Sequence, residues 1–309
     1  MMKYRRLGKT GVRVSVVGVG TWQFGGEWGQ QFSQPEVDRM LGHARELGIN
    51  LIDTAECYGD HLSEMLVGQA IRQQRADWII ATKFGHRFIG HLEREDLWSA
   101  EAVRQQLEDS LRALQTDTID LYQFHSGGDD AFDNDALWTM LGKQVDAGKI
   151  RHLGISISSR GDLLHQVERA TEVGASTIQV VYNRLDRQPE EAVFPSCIEQ
   201  DLGVLARIPL ASGFLSGKYK PGAEFTAESD LRSGWDRARI QERLQKVSEI
   251  QQSKVPPGQP MAPWALAWCL QHPAMTCVIP GCKSVEQVAS NASAADLDLV
   301  RDDHPQAWG

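Results

Sequence analysis

Apolar residues along the chain follow two alternating patterns. Short, near-continuous runs rich in β-branched residues occur at 16–21 (VVGVGT), 50–54 (NLIDT), 78–84 (WIIATKF), 119–125 (IDLYQFH), 150–156 (IRHLGIS), 177–183 (TIQVVYN), 203–210 (GVLARIPL) and 276–281 (TCVIPG). Such runs suit parallel strands covered on both faces. Between them the apolar positions repeat at i, i+3 and i+4, as at Val37, Met40, Leu41, Ala44 and Leu47. The same spacing holds at Val103, Leu107, Leu111 and Leu114, and at Leu163, Leu164, Val167 and Ala170. These are amphipathic helices. Gly48, Gly148, Gly174 and Gly203 stand at helix-to-strand junctions, where glycine takes the left-handed position after a helix at no steric cost. Strand and helix in eight alternations predict an α/β fold, a (β/α)8 TIM barrel. KYRRLGKTGVRVS ahead of the first strand reads as an N-terminal β-hairpin turning at Lys9, Thr10 and Gly11, placed to plug the barrel bottom. The interval before the last strand holds a long loop (216–235) and an extra amphipathic stretch with Ile240, Leu244, Val247 and Ile250. A loop this long, expected at the C-terminal face, reads as either a functional lid or a disordered segment. Only PPGQP (256–260) resembles a linker, so residues 1–309 are expected to form a single barrel domain.

Composition narrows the function. The 309 residues are 41% hydrophobic and carry 41 acids against 32 bases, a net charge of −9. No basic cluster interrupts that balance, which argues against nucleic acid and anionic membrane as partners. The five cysteines show no C-x-x-C spacing, so they read as reduced thiols and point to a cytoplasmic protein. The start of the chain, whose short apolar stretch carries Arg13, is expected to be neither a signal peptide nor a membrane span. A small-molecule ligand is expected, with the chain a monomer or a weak homo-oligomer.

In such a barrel the reactive groups lie at the C-terminal ends of strands. Asp53 ends the second strand, Lys83 the third and His125 the fourth, and Tyr58 follows in the loop after the second. Each alone has a plain structural reading: a turn cap, a snorkelling lysine, a core histidine, a packed tyrosine. Together on three consecutive strands they suit proton transfer to a carbonyl oxygen. A tyrosine ordinarily titrates near pH ~10. A neighbouring ammonium is expected to lower that value, with a carboxylate holding the ammonium charged. A neutral imidazole can orient the carbonyl. None of these groups supplies electrons, so a reduction needs a bound hydride donor.

DTAECYG, ATKFG and LYQFH resemble the aldo-keto reductase family, whose tetrad of Asp, Tyr, Lys and His falls in this order. The similarity runs from GVGTW (18–22) to IPGCKSVEQVASN (279–291) and looks closest to bacterial members of the branch related to potassium-channel β subunits. The resemblance implies an oxidoreductase reducing aldehydes or ketones with NADPH (NADH less so), with Asp53, Tyr58, Lys83 and His125 catalytic. It implies a cofactor lying across the rim near Gly20, Thr21, Trp22 and Asp53. Ser156 and Gln179 match ligands of the nicotinamide carboxamide, with Ile157 standing where relatives carry Asn or Arg. Arg207 falls where the family stacks an aromatic ring on the nicotinamide. Pro209, Leu210, Ser212, Gly213 and Lys218 match the pyrophosphate cover. Gly281, Lys283, Gln287 and Asn291 match the adenosine site, on a segment opening a helix near Ser284, and Lys283 is the expected partner of a 2′-phosphate. Plain readings stand beside these: Ser156 and Gln179 satisfying each other, Lys283 solvated, Arg207 in a salt bridge. The alternative function is an NADPH-binding sensor with vestigial catalysis.

Other features carry less. GVGTWQ lacks the third glycine of a dinucleotide fingerprint. The nine histidines show no metal-ligand spacing, so no metal is expected. Trp22, Phe24, Trp28 and Phe32 follow the first strand and suggest a hydrophobic substrate wall, with Trp22, Trp28, Tyr58 and His125 the expected substrate contacts. The acidic SGGDDAFDND (126–135) is expected at the substrate mouth.

Overall fold

A computed structural model describes residues 1–158, 164–227 and 230–308. Twelve strands occur among them: β1 (Tyr4–Arg6), β2 (Arg13–Ser15), β3 (Val19–Gly20), β4 (Leu51–Asp53), β5 (Ile79–Phe84), β6 (His86–Gly90), β7 (Glu93–Asp96), β8 (Ile119–His125), β9 (Ile150–Ser156), β10 (Ala175–Val181), β11 (Gly203–Arg207) and β12 (Cys277–Val278). Eight of them form one parallel sheet in the order β3-β4-β5-β8-β9-β10-β11-β12. Its two edges meet: Gly18 N–H donates to Val278 O at 2.8 Å and Gly20 N–H to Pro280 O at 3.0 Å, with parallel bridges Val17–Val278 and Gly20–Gly281. The eight apolar runs are thus the eight staves of a closed (β/α)8 barrel. The first and last are shorter than their apolar runs, because Gly18, Pro280 and Gly281 carry the ladder only as isolated bonds.

Helices follow the expected periodicity. Gln34–Glu46 buries Val37, Met40, Leu41 and Ala44 and opens on a capping box between Ser33 and Glu36. Ala100–Ala113 buries Val103, Leu107 and Leu111 behind a Ser99 cap. Arg237–Ser253 buries Ile240, Leu244 and Val247. Leu164–Glu168 is a short helix; Leu163, assigned to it by periodicity, lies outside the described residues. Among the described residues no helix is long and apolar enough to cross a membrane.

Gly48, Gly148 and Gly174 adopt the left-handed conformation at their junctions, but Gly203 does not. There Asp201 takes the positive φ of 51°, and Gly203 is needed for another reason. A Cβ on it would lie 2.6 Å from the Leu7 side chain and 3.0 Å from the Leu7 carbonyl carbon. The glycine lets the hairpin enter the barrel.

That hairpin is β1 paired antiparallel with β2, turning through Gly8–Thr10 with Gly11 left-handed at φ 68°. Leu7 and Val14 pack with Leu51, Ala81, Leu121, Leu205, Cys277 and Ile279, closing the bottom of the barrel. Arg5 is buried beside them, donating to Met275 O at 2.7 Å and Leu270 O at 2.9 Å. Its charge thus sits at the C-terminal end of helix Met261–Leu270, where free carbonyls favour a cation. Burial lowers this guanidinium to about 10, and it stays charged.

Candidate active site

Strand alternation decides which residues face the barrel axis. Two residues above Leu51 comes Asp53, above Ala81 comes Lys83, and above Leu121 come Gln123 and His125. Register sets these polar groups side by side: Gly20 opposite Asp53, Lys83 opposite Gln123, and Ser156 between His125 and Gln179.

The buried Lys83 ammonium donates to Asp53 Oδ2 at 2.7 Å, to Thr54 O at 2.7 Å and to the Tyr58 hydroxyl at 3.3 Å. Asp53 Oδ1 accepts from Gln179 Nε2 at 2.7 Å and Gln123 Nε2 at 3.2 Å. Ser156 Oγ donates to Gln179 Oε1 at 3.2 Å. Ser156 and Gln179 therefore do satisfy each other, and only Gln179 of the two reaches the cavity wall. The His125 ring lies edge-on to Tyr58, centroids 6.2 Å apart.

Electrostatics follows from this burial. Burial alone would lower the Lys83 ammonium, but Asp53 and Tyr58 more than reverse that, and the net direction is up. For Tyr58 the balance runs opposite to the sequence expectation. Burial pushes the phenol up to about 12, outweighing the pull of Lys83. His125 is held well below the usual imidazole range, first by burial and then by Lys83, His86 and Arg207. At neutral pH the site thus holds a charged ammonium, a protonated phenol and a neutral imidazole.

Asp53, Tyr58 and His125 border a cavity of about 710 Å³, with Lys83 buried behind them. Near the tetrad it is lined by Gly20, Thr21, Trp22, Trp28 and Cys57. Arg207, Pro209, Leu210, Ser212, Gly213 and Lys218 line it beyond β11, where Ile208, Ala211, Ser212 and Gly213 all have positive φ. Gly281, Lys283, Gln287 and Asn291 line its far end, on helix Val285–Ala292 capped by Ser284. Close packing requires small residues here: a Cβ on Gly281 would lie 2.1 Å from the Gln23 amide. Lys283 is not simply solvated, because its ammonium donates to Trp28 O at 2.9 Å and spans the cavity. Among the described residues Arg207 makes no salt bridge and its buried Nε has no partner; its Nη2 donates to Ile157 O at 3.1 Å.

Two sequence expectations fail. Of the four aromatics after β3, Trp22 and Trp28 reach the cavity, whereas Phe24 and Phe32 turn into the core with ring centroids 5.3 Å apart. No residue of 126–135 lines the cavity. Two of its acids are engaged elsewhere, Asp133 with His165 at 2.9 Å and Asp129 with Gln166 at 3.0 Å.

Other wall residues escaped sequence reasoning. The β6–β7 hairpin contributes His86, Leu92 and Arg94. It is tied down by buried Glu27, which accepts from Arg94 Nη2 at 2.6 Å, Leu92 N at 3.1 Å and Trp22 Nε1 at 2.8 Å. Arg232 reaches the wall from the long loop, bonded to Asp230, Tyr219 and Ser212 O. Gln123, buried behind the wall, also escaped, although it has a readable signal at the inward position between Leu121 and His125.

Comparison with known proteins agrees over nearly the whole chain. Residues 16–307 match the family described as "Aldo/keto reductase family". The aldo-keto reductase AKR11C1 from Bacillus halodurans, in its holo form, is 32% identical, with 99% of this chain and 95% of that chain covered and a TM-score of 0.81. The glycerol dehydrogenase AKR11B4 from Gluconobacter oxydans is 28% identical over 98% and 96% of the two chains, TM-score 0.82. An aldo-keto reductase from Klebsiella pneumoniae in complex with NADPH is 28% identical over 96% and 90%, TM-score 0.72.

Proposed function

The chain belongs to the aldo/keto reductase family, and on that premise we propose that it reduces aldehydes or ketones to alcohols with NADPH. The observation that carries this reading is the Lys83 ammonium bonded at once to Asp53 and Tyr58 at the wall of a large cavity.

The residues present fit a dinucleotide phosphate. In a chain of net charge −9, the cavity gathers Arg207, Lys218, Arg232 and Lys283, which favours an anion. The unpartnered Arg207 Nε and Trp28 Nε1 are buried donors awaiting a ligand. Gln179, backed by Ser156, would hold the carboxamide, and Arg207 would lie against the nicotinamide ring, as a planar guanidinium can. Pro209, Leu210, Ser212, Gly213 and Lys218 would cover the pyrophosphate, and Gly281, Gln287 and Asn291 the adenosine. Lys283 would meet a 2′-phosphate, which favours NADPH over NADH. The bound nicotinamide supplies the hydride, which no group of the chain can give.

The chain's own residues handle the proton. Tyr58 donates its phenolic proton to the carbonyl oxygen. Lys83 stabilises the phenolate left behind, and Asp53 holds Lys83 in place. Neutral His125 donates a hydrogen bond to the same oxygen and orients the carbonyl. Trp22 and Trp28 wall the substrate; Trp22 is fixed by Glu27 and stacks on Tyr58 with centroids 6.0 Å apart. The branch related to potassium-channel β subunits, the cytoplasmic setting, the single barrel domain and the monomeric or weakly associated state belong to the same proposal and rest on the sequence.

The test is a fluorescence titration with NADPH and NADH separately, followed by a carbonyl panel. Tighter NADPH binding and carbonyl-dependent loss of nicotinamide absorbance are expected. Tight binding with no oxidation on any carbonyl would overturn the reductase reading and favour a sensor.

A further inference from the structure

Beside the proton-handling residues lies a second constellation, which shares His125 with the proposed reaction and adds two residues, Glu56 and Cys57, that the reaction does not use. Glu56, Cys57 and His125 present ligand atoms all within 4.8 Å of one another. The Cys57 sulfur is 3.8 Å from His125 Nδ1. A Zn2+ ion with ligand bonds of about 2.0–2.3 Å separates its ligand atoms by roughly 3.3–3.9 Å, so that pair already stands at coordination distance. The third corner, within 4.8 Å of the other two, needs at most about 1.5 Å of contraction, which rotation of the Glu56 side chain can supply. Glu56 supplies the independent sign of a missing partner. It is 3% exposed, Oε1 accepts from His86 N at 3.1 Å, and Oε2 is buried with no hydrogen bond among the described residues. A carboxylate oxygen in that state has capacity for a ligand. Cys57 and His125 both line the cavity, so an ion has a way in.

We propose that Glu56, Cys57 and His125 form a site for a thiophilic divalent cation of the Zn2+ class, and that filling it competes with the carbonyl substrate. Imidazole, thiolate and carboxylate are a donor set this class prefers. Binding displaces two protons to solvent, one from the Cys57 thiol and one from the Glu56 carboxyl, which burial raises to about 8, so two anionic ligands and a neutral imidazole face the dication. Arg94, which lines the same cavity, stays with Glu27, its partner at 2.6 Å. Three protein ligands leave one position open, and it faces the cavity between Cys57 and His125. The ion and its water then stand where the carbonyl must approach. Binding itself is independent of the reductase reading; only the competition rests on it.

The probe is Co2+, titrated into the full chain after dialysis against a chelator. One equivalent should produce a thiolate-to-cobalt charge-transfer band that Zn2+ abolishes. Cys57→Ser should lose the band, and Glu56→Gln should need more Co2+ for half-saturation. In turnover, Zn2+ should raise the KM for the carbonyl with kcat unchanged, reversibly on adding chelator, and leave NADPH fluorescence binding unaltered. Absence of the band in the wild-type chain, or a band undiminished in Cys57→Ser, overturns the site. A band accompanied by an unchanged KM overturns the competition. Because the band needs no turnover, failure of the reductase reading and failure of the site are told apart.

Discussion

Along β4, Leu51 meets the hairpin plug and Asp53, two residues later, meets the cavity. The same step recurs from Ala81 to Lys83 on β5 and from Leu121 to Gln123 on β8. One barrel interior thus has two ends of opposite chemistry on the same strands. The bottom is apolar and filled by Leu7 and Val14, and its one buried cation, Arg5, is satisfied by backbone carbonyls. The top is polar and bonded through Asp53, and part of it opens to a cavity. A packed bottom supplies stability and rigidity, and it lets the top keep an ammonium, a carboxylate and a phenol out of water. Buried charges cost stability unless paired, so mutation at the top should cost both stability and turnover, and mutation at the bottom stability alone.

The largest effect is expected at the top. Lys83→Met leaves Asp53 buried without its ion-pair partner, which should cost about 3–5 kcal/mol of stability. Turnover should fall as well, because nothing then stabilises the phenolate. Urea unfolding and steady-state kinetics on the same preparation measure both. At the bottom, Leu121→Ala should cost about 2–5 kcal/mol. Its kcat at a temperature where it stays folded should remain near wild type, since Leu121 lies a full alternation below Gln123. A large kcat loss there would break the two-ended picture. Gly203→Ala drives a Cβ to 2.6 Å from Leu7 and should cost about 1–3 kcal/mol, again without a change in the carbonyl KM.

The smallest effect concerns pH and also belongs to the bottom. His304 donates to His272 O at 3.1 Å and accepts from Gln306 N at 3.1 Å, where the C-terminal segment packs beneath the barrel. Burial lowers its pKa from 6.5 to about 4. Between those values the unfolded chain binds a proton that the folded chain refuses. Its contribution is therefore full above about 6.5 and lost as pH falls toward 4. The urea midpoint of His304→Gln should decline less than wild type over that window, and equal slopes would contradict the assignment.

Much of this was legible because the two periodicities are strong. Apolar runs marked every stave, and an inward-facing acid, lysine and histidine near strand ends marked the site rim. What escaped did so for physical reasons. The β6–β7 hairpin pairs His86 with Asp96 and Arg87 with Glu95, and its few apolar residues, such as Phe88 and Ile89, form no alternating run to announce it. Helix Met261–Leu270 is buried almost all round and shows no stripe. Glu27 and Arg232 owe their places to partners far away in the chain, which spacing cannot reveal. The Tyr58 phenol was misjudged because sequence names its charged neighbour but not the depth of its burial. The cluster of Glu56, Cys57 and His125 joins a loop to a strand 68 residues on, beyond any local motif.

The central claim is that the polar end of the barrel acts on a carbonyl through one phenol. Tyr58→Phe removes only the hydroxyl that Lys83 contacts, so single-turnover kinetics with NADPH and 4-nitrobenzaldehyde test it most directly. The account predicts a rate lower by about 10²–10⁴, with NADPH affinity by fluorescence and the urea midpoint close to wild type. A variant that reduces the aldehyde at near-normal rate would contradict it.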